Sequence, residues 1–214
     1  VKYNQKNDII DSIELLRSLE KAIKDPSGIL TKRIKNSLTG TLQREALTAL
    51  LIAIVLNYNR SIHMEWHVCR NSEEDEHDGV LVGYDHAEKS RTRFELEQVM
   101  LTVDDQNLQD YSTPKEAIIE KIRQKHNKNY ANPSNIILVI FLDISQDSVT
   151  PADIKEFLRT EYHFGFYILI MLNDKTLVSE EYIYTVVDLD PEREGHSRFN
   201  IKITQDFSNY NVYV

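Results

Sequence analysis

The chain has 214 residues, 41% hydrophobic and 28% charged, which is enough apolar content for one sizeable core and too much for a disordered chain. Its formal net charge of −9 excludes a protein that coats nucleic acid non-specifically, though not a local basic groove. The one cysteine, Cys69, excludes an intramolecular disulfide and any zinc site built on two thiolates, and makes the cytoplasm the default compartment.

The opening stretch VKYNQKNDIID lacks the apolar core of a secretory leader, and the longest apolar runs, ALTALLIAIVL (46–56) and IILVIFL (136–142), are too short to cross a membrane. Over residues 8–24, Ile9, Ile13, Leu16, Leu19 and Ile23 recur at helical spacing, and DPSG (25–28) ends the helix. A basic connection with Lys32, Arg33 and Lys35 leads to Thr41, the expected cap of a second helix over 42–57. That helix is apolar nearly all round and belongs in the core. Glu45 in its first turn suits the positive end of the helix dipole.

SIHMEWHVC (61–69) alternates and predicts a strand with His63, Glu65, His67 and Cys69 on one face. An acidic loop follows, then a strand over 78–85, a hairpin loop over 86–91 and a strand over 92–103. TPKE (113–116) reads as a capping box, with Thr113 as cap and Pro114 at the first helical position. Its helix runs to about residue 127 with Ala117, Ile118 and Ile122 inward and a basic face of Lys115, Lys121, Arg123, Lys125 and Lys128. IILVIFLDI (136–144) predicts a strand covered on both faces, TPAD (150–153) opens a short helix, and FGFYILIML (164–172) is another buried strand. The stretches 181–189, 198–204 and 210–214 form a β-rich tail. This order predicts an α/β domain with a mixed sheet flanked by helices on both sides. Its core spans 41–145, between a helical segment at 1–40 and a C-terminal extension at 146–214.

RFELEQVML (93–101) sets Glu95 and Glu97 on the same strand face, where like charges repel and burial is costly. With the hairpin centred near residues 87–88, Asp78 lies across from Glu97 and Val80 across from Glu95, so three acids gather on one face while Leu81 meets Phe94 on the other. A one-residue slip would destroy this arrangement. Such an oxygen-rich cluster suits Mg2+ or Mn2+. Arg93, on the same face, would hold a phosphate or neutralise the acids.

The order of a helix with an early Glu, a strand, a strand beginning with Asp, a strand with Glu-x-Glu, a basic helix and a buried strand resembles the PD-(D/E)xK nuclease superfamily with its restriction-endonuclease-like core. The resemblance covers about residues 41–145. It implies a metal-dependent endonuclease that hydrolyses nucleic-acid phosphodiester bonds, DNA before RNA. It further implies Asp78 and Glu95 as metal ligands, Glu97 as ligand or water activator, and Glu45 as the assisting helix acid. His77 replaces the usual Pro before the Asp, and Glu97 stands where the family has Lys. Lys121 and Lys125, with Arg93, are the expected nucleic-acid backbone contacts.

Blander readings stand beside these. Glu95 and Glu97 would be a solvated strand face with Arg93 as salt partner, and the basic helix face would simply be solvated. A non-catalytic interaction protein on the same fold, acidic and dimeric, is the main competitor, with Tyr182, Tyr184, Tyr210 and Tyr213 available to an interface. The set His63, Glu65 and His67 offers transition-metal ligands for a small-molecule hydrolase, although isolated spacings of this kind are weak signals. Alternatively Glu65 faces the carboxylate cluster from the neighbouring strand.

Overall fold

A computed structural model of the chain describes residues 9–25, 33–59, 63–71, 77–102, 111–143, 149–173 and 182–214. Most of the first turn (25–28), Lys32 and most of the acidic loop lie outside these residues. Nine strands among the described residues form one mixed sheet whose spatial order is the chain order. They are β1 (Ile9–Ile10), β2 (Met64–Cys69), β3 (Gly79–Asp85), β4 (Ser90–Thr102), β5 (Ile136–Asp143), β6 (Phe166–Asn173), β7 (Tyr182–Asp188), β8 (Arg198–Ile203) and β9 (Tyr210–Tyr213). The β4–β5 and β5–β6 pairs are parallel and all others antiparallel. Parallel neighbours need a crossover. The helices α4 (Pro114–His126) and α5 (Pro151–Leu158) provide the two crossovers.

Both crossover helices cover one face of the sheet, where Ile118, Ile122 and Ile154 meet Leu138, Ile140 and Leu169. The other face is covered by α1 (Ser12–Ser18), α2 (Glu20–Lys24) and α3 (Gln43–Tyr58). Helix α3 is buried at every position from Ala46 to Val55, as its all-round apolar sequence requires. Strand β5 alternates between the two cores, with Ile137, Val139 and Phe141 toward α3 and Leu138, Ile140 and Leu142 toward α4 and α5. The sheet curls about the first core, so that Tyr58 at the end of α3 meets Phe199 of β8 edge to face at 6.1 Å.

Two helix starts differ from expectation. The first helix begins at Ser12 because the Asp11 carboxylate accepts the amides of Ile13 and Glu14 at 3.0 and 2.9 Å, which leaves Ile9 and Ile10 to pair with Cys69 and Val68. Thr41 does not cap α3. Its hydroxyl bonds that of Thr39 at 2.9 Å after a left-handed turn at Gly40, and the chain enters the helix one residue later, at Leu42. There the Leu42 amide donates to Glu45 Oε2 at 2.8 Å, so Glu45 closes the helix start from within.

Candidate active site

The site lies where β3 begins and β4 runs on past it. Their register is the expected one, with Gly79 opposite Leu96, Val80 opposite Glu95 and Leu81 opposite Phe94. Beyond Gly79 the Asp78 amide donates to Leu96 O at 2.9 Å, and the Asp78 carboxylate accepts the Gln98 amide at 2.6 Å. The side chain thus replaces a neighbouring strand along the exposed edge of β4. Gln98 turns to the opposite face and donates to Thr48 Oγ1 of α3 at 2.8 Å, which satisfies a hydroxyl buried in that helix.

Glu97 points toward α4, and its side chain is only 4% exposed. Three donors converge on it: Lys125 Nζ at 2.6 Å and Tyr130 OH at 3.0 Å on Oε2, and His77 Nδ1 at 3.2 Å on Oε1. Burial alone would favour the neutral acid, but these donors outweigh it and hold the carboxyl at about 2. The same Lys125 ammonium lies 3.4 Å from Asp78 Oδ2. Burial works against that ammonium, yet Asp78 and Glu97 overcompensate and raise its pKa.

His77 joins the two strand acids, with Nε2 2.8 Å from Glu95 Oε2 and Nδ1 bonded to Glu97. Both ring nitrogens face carboxylates, so the imidazole gains from carrying two protons. The bond to Glu97 is the main cause that raises its pKa, and Glu95 adds to it. Arg93 pairs with the other oxygen of Glu95 at 3.4 Å, so it neutralises an acid. Glu45, from α3, is near enough to Asp78 for the two charges to interact. Burial first and Asp78 second push its carboxyl pKa up, against the lowering influence of the Leu42 amide, Arg44 and Lys125.

Glu45, Asp78 and Lys125 share the wall of a cavity of about 430 Å³, which Arg44, Lys121 and Lys128 also line. No three His, Cys, Asp or Glu side chains among the described residues converge as a metal cage. Mg2+ asks for less, because one or two carboxylates with water and substrate phosphate oxygens suffice. The oxygens of Asp78 and Glu97, gathered about one ammonium, fit such an ion by donor type. We find no protein-family model, curated protein or solved structure that matches the chain.

Several expected contacts lie elsewhere. The basic face of α4 is not one solvated stripe: Lys115 pairs with Asp153 of α5 at 2.9 Å, and Arg123 pairs at 3.0 Å with Glu161 in the turn that follows α5. Lys125 is not an open backbone contact, since its ammonium serves Glu97 and Asp78. Lys121 donates to Met100 O at 2.9 Å and reaches the cavity wall. Glu65 lies opposite Tyr84, at the far end of the β2–β3 pairing from Glu95, and interacts with His86 at 3.1 Å and His67 at 3.7 Å instead of the acid cluster. The reading from sequence missed His77, Tyr130 and the Gln98–Thr48 bond. None carried a local signal: extending the hairpin register past Asp78 sets His77 opposite Gln98, on the face away from Glu95 and Glu97, and the ring reaches both acids because the chain leaves the β3 register there.

Proposed function

We propose that the chain is a metal-dependent endonuclease on a restriction-endonuclease-like core, hydrolysing phosphodiester bonds of nucleic acid, DNA before RNA. The observation that carries this reading is the convergence of Asp78 and Glu97 on Lys125 at the open edge of β4, with Glu45 beside Asp78. The element order α3, β2, β3, β4, α4, β5, with two antiparallel pairings and then a parallel one, supports it. The lysine missing from the strand motif has a counterpart in Lys125, which reaches the acids from α4.

In this reading Asp78 and Glu97 hold Mg2+ or Mn2+, and Glu95 acts through His77, whose ring it keeps against Glu97. When bound, the ion polarises the scissile phosphate and acidifies a water. Lys125 turns its charge from the two carboxylates to the phosphate. Glu45, whose carboxyl is made more basic by burial and by Asp78, accepts the proton of the attacking water. Cleavage of plasmid DNA should fall about 100-fold or more in Asp78→Asn plus Glu97→Gln and also in Lys125→Ala. Mn2+ should raise the melting temperature of the parent chain but not that of the double variant. Cleavage that survives the double substitution, with melting indifferent to Mn2+ in both proteins, would remove the proposal.

One observation favours a second reading. Glu97 already has three donors, so the cluster is satisfied as a structural ion network. A non-catalytic interaction protein would show that network, no Mn2+ dependence and no cleavage by the parent chain.

A further inference from the structure

Glu45 stands between two cavities. The first, of about 430 Å³, has Arg44, Lys121, Lys125 and Lys128 in its lining against two acids, Glu45 and Asp78. The second, of about 390 Å³, lies on the His77 side and has Lys35 and Arg70 in its lining, with Glu45 as its acid. Lys35, Arg70 and Lys128 are exposed. In a chain of net charge −9, cations thus gather on both sides of one carboxylate cluster. None of the described residues lining either cavity is Phe, Tyr or Trp, and the one imidazole, His77, has both ring nitrogens on Glu95 and Glu97, so the recesses offer charge rather than a row of stacking platforms.

We infer that the substrate is a polynucleotide strand bound at an internal position, its sugar-phosphate backbone running through two basic recesses that meet at Glu45. Arg44, Lys121 and Lys128 hold the phosphates on one side of the cleaved bond, and Lys35 and Arg70 those on the other. This rests on the phosphodiesterase reading and adds a substrate class to it: strands recognised by backbone charge, indifferent to base sequence and to free ends. A site built for strand ends needs one recess. A cluster between two takes backbone on both sides.

Binding of a labelled single-stranded DNA oligonucleotide to the full chain in EDTA, followed by fluorescence anisotropy, separates this inference from the chemistry. Lys128→Ala and Arg70→Ala, one per recess, should each weaken binding and each flatten the slope of log K against log salt by about 0.7. Circular single-stranded DNA should compete as well as linear DNA per nucleotide, and a mononucleotide should not. The inference is overturned if only one of the two substitutions alters binding, if the circle fails to compete, or if the mononucleotide competes equally per phosphate. Cleavage measured in parallel with Mg2+ keeps the two ideas apart. Cleavage with unaltered binding in both variants sinks the two recesses alone, and the expected binding without cleavage sinks the phosphodiesterase alone.

Discussion

Glu97 concentrates the physical tension of the molecule. A carboxylate this buried survives only with partners, and its partners come from His77, two residues before β3, from α4 and from the turn after α4. Removing one member strands the others. Glu97→Gln and Lys125→Met should each cost roughly 3 kcal/mol in urea unfolding, and the double substitution should cost well under the two together, because no buried charge is then left alone. Strict additivity would show that the two side chains do not stabilise one another. The Glu-x-Glu pair was legible in sequence because its oddity is local: two acids on one face of a strand otherwise written as core. Lys125 as its partner was not. It lies 28 residues away, and which basic residue of α4 turns inward depends on how the helix rotates against the sheet. Alternation and spacing carry no information about that rotation.

The elements meet through a few contacts that sequence patterns do not encode. Tyr167 of β6 accepts the amides of His163 and Phe164 at 2.9 and 3.0 Å, so its own proton goes to His126 Nε2 at 2.9 Å, at the end of α4. Tyr167→Phe leaves those amides without that acceptor and should cost about 2 kcal/mol. The same contact requires neutral His126, and burial first, then the neighbouring His163, pull its pKa down to about 4 from an ordinary 6.5. A lowered folded-state value means that the unfolded chain binds more protons between those limits. Stability from this group is complete above pH 6.5 and is lost as the pH falls toward 4. Denaturant titrations of His126→Phe should lack that part of the acid limb, whereas loss below it, from carboxylates such as Glu97, should remain. Gly165, at the entry to β6, tests a different constraint. A Cβ there would lie 2.0 Å from the Ser134 carbonyl oxygen, so Gly165→Ala should cost roughly 3 kcal/mol by displacing backbone. The strands themselves were readable because alternation marks a half-covered strand and a continuous apolar run marks a central one. β3–β4 register followed from matching apolar with apolar across the hairpin. Helix starts were less readable where the cap depended on a side chain's competing bond, as at Thr41.

For the whole molecule, the decisive property is the contrast between a net charge of −9 and two recesses in which cations outnumber acids. Which of these an approaching polyanion feels depends on distance. At about 10 mM salt the screening length is roughly 30 Å and the field of the entire chain reaches the strand, so approach is repelled. At physiological salt it is about 8 Å, and only the charges lining the recesses remain in view. The association rate of single-stranded DNA, measured by stopped-flow fluorescence, should therefore rise as salt increases from the first condition to the second. Equilibrium affinity should fall over the same range, because bound phosphates still displace counterions. A uniformly basic binder behaves differently, losing rate and affinity together. An association rate that declines steadily with salt would mean that the recesses dominate the field at every distance. The acidic remainder of the surface would then have no part in selecting what reaches Glu45.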